Sequence, residues 1–374
     1  MTESRRDHTI VVPDVAGKGD VIKNDYKAAA PTFPATRYQG SKQKILSWVG
    51  GILSKHSFTS FLEPFGGTGC VSYWAKTQGK AVAYNDILRA NCLMAAALIE
   101  NDSITLSESE AETLLQRKPL TEYDRFIEET FPDVYFTDDE NKILDIATQN
   151  ISRMKNRSKQ NIAWYALFQS CIAKRPYNLF HRKNLYMRLQ SVRRTFGNKT
   201  TWDRPLEKHF LNFVSQANSA VFRGRHPATV TNRDAMAIAE PFDMAYVDPP
   251  YSNGTGVAVD YFGFYHFLEG LADYSNWKAR IDYSKKHRPL LGGTNVWTSG
   301  AGIRSMLAQY IPMVRTKTLA LSYRSDGQPS IDELLEFVGK SFSKVELHRF
   351  GNYKYVLSTN CSTEEILIVG TNPQ

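Results

Sequence analysis

Cysteine is scarce in this chain. The four present, Cys70, Cys92, Cys171 and Cys361, stand apart, with no Cys-x-x-Cys spacing and no histidine pair beside them. That argues against a disulfide framework and against a zinc site, and all four read as reduced packing residues. Long apolar runs are missing as well. No segment approaches the roughly 20 residues needed to span a bilayer, and no secretory leader is read at the start. Cytoplasm is therefore the expected compartment, with no membrane partner. Internal repeats and low-complexity tracts are absent. What is present suffices for a core: hydrophobic residues at 42% of the chain and aromatics at 12% can fill one large α/β domain plus a smaller insert. Acidic charge is in the minority, 38 Asp and Glu against 46 Lys and Arg, a formal net charge of +8. Such a balance favours a polyanionic partner, although solubility or membrane association would also use it.

Residues 1–33 are polar, charged and broken by Pro13, Gly17, Gly19 and Pro31, the pattern of a mobile arm. Apolar residues at helical spacing follow from Ile45 to Val49, leading to a strand candidate at Phe58 to Leu62. Glu63-Pro64-Phe65-Gly66-Gly67-Thr68-Gly69 then bends the chain, Val71 to Ala75 resumes a helical pattern, and Lys80 to Asp86 reads as the next strand. This β-loop-α-β order is the unit of a doubly wound parallel sheet. Residues 34–104 and 226–374 are expected to form that α/β domain. Between them, residues 105–225 change character and read as a mostly helical insert. Its first half is acidic, from Glu108 to Glu140. Its second half interleaves Lys174, Arg175, Arg182, Lys183, Arg188, Arg193, Arg194, Arg223 and Arg225 with Tyr177, Phe180, His181, Tyr186, Phe196 and Trp202. Cations mixed with aromatics suit phosphate contact and base stacking, though an ordinary basic helical face has the same composition. Strand patterns return at Phe242 to Asp248, Pro289 to Thr294, Met313 to Ala320 and Glu365 to Val369.

The bend at Gly66, Gly67 and Gly69 lets backbone approach a ligand while the following helix aims its N-terminus at the same place. Its glycine order is neither the G-x-G-x-x-G of dinucleotide sites nor that of a phosphate loop, which ends in Lys-Ser/Thr. Asp86 ends the next strand, roughly 20 residues on, where an acid reaches ribose hydroxyls; a helix cap before Ile87 is the plainer role.

Asp248-Pro249-Pro250-Tyr251 follows the apolar run Met244 to Val247. Two prolines end ladder donation and make a rigid, extended turn. Rigidity of this kind suits a weak nucleophile such as the amine of adenine, whose lone pair is conjugated with its ring. The Asp248 carboxylate and the Pro249 carbonyl would accept the amine's N–H protons and draw the lone pair out of plane. Tyr251 would offer a face to a base extruded from the duplex.

These three stretches, Thr36 to Lys42, Glu63 to Gly69 and Asp248 to Tyr251, resemble the amino-terminal, cofactor and catalytic motifs of adenine-specific DNA methylases of the Dam type. The order of motifs is also that family's, and the resemblance spans about residues 36–370. It implies a seven-stranded doubly wound, Rossmann-like methyltransferase sheet with an inserted DNA-recognition domain, and S-adenosyl-L-methionine as cofactor. Carried over by position, Tyr38, Lys42, Glu63, Phe65, Gly66, Gly67 and Gly69 would surround the cofactor, and Asp86 would take its ribose. Asp234, in Asn232 to Met236, would lie near its adenine, and Asp248 would touch it as well as the target. Leu321 to Gly327 would form a loop facing DNA through Arg324. The expected reaction is direct displacement at the sulfonium methyl, with Asp248, Pro249, Pro250 and Tyr251 as the catalytic group and no metal. Double-stranded DNA is the expected partner. A cognate restriction endonuclease or other defence system of a bacterial or phage host would share its site. The alternatives are an RNA adenine or a cytosine N4 as target, or an inert DNA-specificity subunit; a nicotinamide dehydrogenase would need the other glycine order.

Overall fold

The structure is a computed structural model that describes residues 9–10, 31–190, 199–292, 296–351 and 363–374. Its centre is one mixed sheet of β1 (Thr9–Ile10), β2 (Ser60–Glu63), β3 (Ala81–Asn85), β4 (Ala228–Thr231), β5 (Phe242–Val247), β6 (Thr316–Arg324), β7 (Phe342–Phe350) and β8 (Glu365–Pro373). The spatial order is β1-β7-β8-β6-β5-β2-β3-β4. Strands β4, β3, β2, β5 and β6 run parallel, and β8 is antiparallel to both β6 and β7. The expected seven strands are thus β2 to β8. The eighth, β1, lies in the supposed mobile arm and adds to the sheet edge, with Thr9 opposite Glu346 and Ile10 opposite Leu347. Phe33, from the same arm, is buried edge-on against Tyr73, ring centres 5.2 Å apart.

The central strands read as unbroken apolar runs because helices cover both faces; Met244, Ala245, Tyr246 and Val247 are all buried. Two strands escape that pattern. β7 alternates charged and apolar residues in Phe-Ser-Lys-Val-Glu-Leu-His-Arg-Phe, and β4 is a four-residue edge. Elsewhere the sequence reading needs correction. Pro289 to Gly292 is no strand, with Leu290 making an isolated bridge to Ile281, and Gly293 and Thr294 lie outside the described residues. Met313 closes the helix Gly300–Met313, so β6 starts later and continues through Leu321 to Arg324, residues read from the sequence as loop.

From β2 the chain moves outward to β3 and β4, then returns to the other side of β2 as β5. The reversal puts a topological switch point between β2 and β5, and ligands of open α/β sheets bind above the carboxyl ends of strands at such a crevice. Glu63, Asp86 and Asp248 stand there.

The helical segment 105–225 shares its core with the sheet rather than enclosing its own. Helix Arg157–Ala173 is buried on every side from Gln160 to Ala173, wedged between helices Leu206–Ala220 and Arg89–Ala95, as a helix without a polar face must be. A later segment joins it. Helix Tyr261–Ala272 stacks Phe267 on Phe180, ring centres 5.2 Å apart, and the fully buried Trp277 packs on Phe131 at 5.1 Å. The helical lobe therefore includes residues that follow β5. No helix among the described residues is long and apolar enough to cross a membrane.

Candidate active site and nucleic-acid face

The glycine bend is dictated by close approach. A Cβ at Gly66 would sit 2.0 Å from the ring of Tyr84, and one at Gly69, where φ is +74°, would sit 2.7 Å from Ile99; neither position admits a side chain. Held this way, the Gly67 N–H donates to Asp86 Oδ2 at 2.7 Å, and the Leu88 N–H donates to Asp86 Oδ1 at 2.7 Å. Asp86 thus braces the turn ahead of helix Arg89–Ala95, whose N-cap is Leu88, and also lines the central cavity. Burial pushes its carboxyl up to about 6 against the pull of these N–H groups. Glu63, at the end of β2, accepts the Ser72 N–H at 2.9 Å in the first turn of helix Cys70–Thr77, and burial pushes it up to about 8. Asn85 braces the region, its side-chain amide donating to the carbonyls of Pro64 and Arg233 at 3.0 Å each.

Asp248 leaves β5 facing Lys42. The Lys42 ammonium lies 2.7 Å from Asp248 Oδ2, donates to the Tyr251 hydroxyl, and is 3.6 Å from Glu365 Oε1. The Tyr251 hydroxyl reaches both Asp248 Oδ1 and, at 3.0 Å, Glu365 Oε1. Lys42 precedes the first helix in a 3-10 turn, Lys42–Ile45, capped by the Ser41 hydroxyl, so a local cap sets the position of a long-range ion pair. Tyr251 is 8% exposed, meets Tyr323 edge-on at 4.9 Å, and carries Lys42 4.8 Å from its ring centre.

Tyr38, Lys42, Glu63, Phe65, Gly66, Gly67, Asp86 and Asp248 to Tyr251 line one cavity of about 340 Å³, within the range of about 300–1,000 Å³ typical of ligand pockets. Gly69 stands just behind as the left-handed residue that starts the helix. Asp234 is not among the lining residues: it is exposed, and its carboxylate caps the turn Ala235–Ala237 through the Met236 N–H at 3.0 Å. Sequence reasoning missed Asn91, Tyr261, Phe262 and Trp297, which complete the wall. Asn91 donates to the Tyr38 hydroxyl at 3.0 Å and to Asp86 at 3.2 Å, while Tyr38 stacks on Tyr265 at 4.2 Å. The aromatic cluster Tyr261, Phe262, Phe264 and Tyr265, ten residues after the Asp-Pro-Pro-Tyr turn, was the available signal.

The expected DNA-contacting cations divide. Arg175 is 1% exposed, and its guanidinium donates to the carbonyls of Leu179, Tyr135 and Arg182 at 3.1 Å each. Arg188 is buried and forks onto Glu140 at 2.7 and 2.9 Å. Their reading as phosphate contacts is corrected: both are committed to internal carbonyls and carboxylates. Arg324 is held in two hydrogen bonds by Asp326, its side chain 13% exposed at the end of β6 rather than on a loop. Arg193 and Arg194 lie outside the described residues. Arg182 and Lys183 are exposed, and Lys183 lies with Tyr186, Lys286 and Arg288 around one open groove. The last two cations follow β5 in the chain, so chain proximity gave no hint of the grouping.

The family model described as D12 class N6 adenine-specific DNA methyltransferase matches residues 38–289. Type II methyltransferase M2.HphI of Haemophilus parahaemolyticus is 30% identical over 246 residues, 64% of this chain and 71% of that protein. Type II methyltransferase M.CviAII of Paramecium bursaria Chlorella virus 1 is 24% identical over 236 residues, 58% of this chain and 64% of that protein. The motif order, the switch-point cavity and these similarities agree, and the chain belongs to the D12 class of N6 adenine-specific DNA methyltransferases.

Proposed function

We propose that the enzyme transfers the methyl group of S-adenosyl-L-methionine to N6 of an adenine extruded from duplex DNA, using Asp248 to Tyr251 as the catalytic turn. The observation that carries this reading is the convergence of Asp248 and Tyr251, through Lys42, on the cavity lined by Phe65, Gly66, Gly67 and Asp86. The cofactor would supply an activated methyl on a sulfonium. The chain's residues suit it: Asp86 for the ribose hydroxyls, the glycine bend for close backbone contact, and the carboxyl groups of Asp248 and Glu365 beside the Lys42 cation. Asp248 and the Pro249 carbonyl accept the amine protons, and Tyr251 borders the space the base would enter. Tritium carried from labelled cofactor into duplex DNA, recovered as N6-methyladenine, is the expected result; label in cytosine or none at all would reject the proposal.

Asp86→Ala is expected to weaken cofactor binding by about 1–3 kcal/mol, the scale of hydrogen bonds to a charged acceptor, and to lower saturated turnover less. Calorimetry on the folded variant checks it, and unchanged affinity would leave Asp86 only its bracing role.

DNA would pass along Arg182, Lys183, Lys286 and Arg288. Each phosphate contact removed by a Gln substitution there should flatten the salt dependence of binding by a slope of about 0.9 without changing the methylated site. Fluorescence anisotropy across a salt series reads this, and an unchanged slope would place the DNA path elsewhere. The names of the two relatives favour a type II restriction-modification setting, with a cognate endonuclease as partner. The cytoplasm of a bacterial or phage-infected cell is the corresponding compartment.

A further inference from the structure

We propose that Glu365 is a positioning residue for methyl transfer, acting through Lys42 and Tyr251 on Asp248. This rests on the assignment of Asp248 as the residue that holds the target amine. Glu365 begins β8, outside the residues matched by the family model, which end at 289. It is fully buried. Its Oε1 accepts from the Ser322 hydroxyl at 2.5 Å and from the Tyr251 hydroxyl at 3.0 Å, and faces the Lys42 ammonium at 3.6 Å.

The donors explain an acceptor at this position but not a charge, because a glutamine oxygen would satisfy two hydroxyls as well. A buried carboxylate is costly unless a cation compensates it, and Lys42 is that cation. The second consequence concerns proton count. Tyr251 has one hydroxyl proton and two carboxylates within reach, Asp248 Oδ1 and Glu365 Oε1. When the proton points to Glu365, Asp248 Oδ1 keeps only the Lys42 ammonium, at 2.8 Å, of these two donors and has a lone pair to offer an N–H of the target amine. Glu365 therefore keeps Lys42 charged, and it draws the phenol proton away from the catalytic oxygen.

Among the described residues, Asp248 and Tyr251 on the turn after β5, Glu365 on β8 and Cys70 at the start of the helix after β2 face Lys42, while Glu63 on β2 and Tyr246 within β5 act on those groups in turn. Removing one negative charge from this set disfavours the buried ammonium, so the cation should be lost at lower pH.

The test is steady-state kinetics of the full chain carrying E365Q, beside the parent and Asp248→Ala. Expected for E365Q is a turnover at saturating DNA and cofactor reduced about tenfold or more, cofactor affinity within about twofold, and an alkaline limb of the turnover profile moved to lower pH by about one unit. Parent-like turnover with an unmoved limb overturns the proposal, as does a loss that follows the melting temperature while the limb stays in place. Should E365Q not fold, lysine-labelled NMR of the parent decides: Lys42 charged throughout the active pH range supports it, and a neutral Lys42 at the pH of maximal turnover overturns it. Retained turnover in Asp248→Ala would instead remove the underlying assignment of the site.

Discussion

Asp248→Ala is expected to reduce methyl transfer to duplex DNA by roughly 10²–10³-fold or more, the scale of removing one group aimed at the charge that develops in a transition state. The amine of adenine becomes acidic only as its lone pair leaves the ring and meets the methyl carbon, so an acceptor for its protons contributes most at that moment. Asp248 is placed for this by three constraints: the buried run of β5 beneath it, the two prolines after it, and the Lys42 ammonium 2.7 Å from its Oδ2. Cofactor affinity should change little, because the glycine bend and Asp86 stand on neighbouring strands. Rapid-quench transfer of tritium, paired with calorimetric cofactor titration, separates the two effects. Near-parent turnover in the folded variant would remove Asp248 from the chemistry, and Asp248→Asn, of matching shape, shows how much of the loss belongs to charge.

Lys42→Met is expected to cost about 3–5 kcal/mol of stability, the range for breaking a buried ion pair by deleting one partner, and to abolish activity besides. Lys42 is 4% exposed and Glu365 fully buried, so the variant would leave Asp248 and Glu365 facing each other without a cation. Repulsion and desolvation then favour a proton on the buried Glu365 carboxyl in the folded variant more than in the unfolded chain. The sign of the pH dependence follows: the penalty is complete while the pair is fully ionised and is relieved as pH falls, because protonation then favours the folded form. The gap in melting temperature between variant and parent should therefore narrow as pH is lowered. A gap independent of pH would show that lost packing, rather than unpaired charge, sets the cost.

Much of the site was legible because its pieces are short and local. Glu63 to Gly69 and Asp248 to Tyr251 are runs of consecutive residues whose glycines and prolines constrain the backbone before any tertiary contact forms. Central strands such as β5 announced themselves as continuous apolar runs. β7 did not, because Ser343, Lys344 and Glu346 interrupt its apolar residues, and β4 did not, because an edge strand of four residues leaves little periodicity to detect. Asp234 shows the opposite failure: a short motif fits the family's position, yet its carboxylate is turned to a cap on the surface.

The sequence by itself determined the class of chemistry, the switch-point architecture and the two turns that face each other across it, since each depends on the conformational limits of neighbouring residues. It could not assign the charges. Arg175 and Arg182 lie seven positions apart in one basic stretch, and one is buried among carbonyls while the other is exposed. Glu365 lies 323 positions from Lys42 in sequence and 3.6 Å from it in space. Only the tertiary structure decided these, because the fate of a charge depends on the dielectric and the partners that distant segments bring to it, and local propensity carries no record of either.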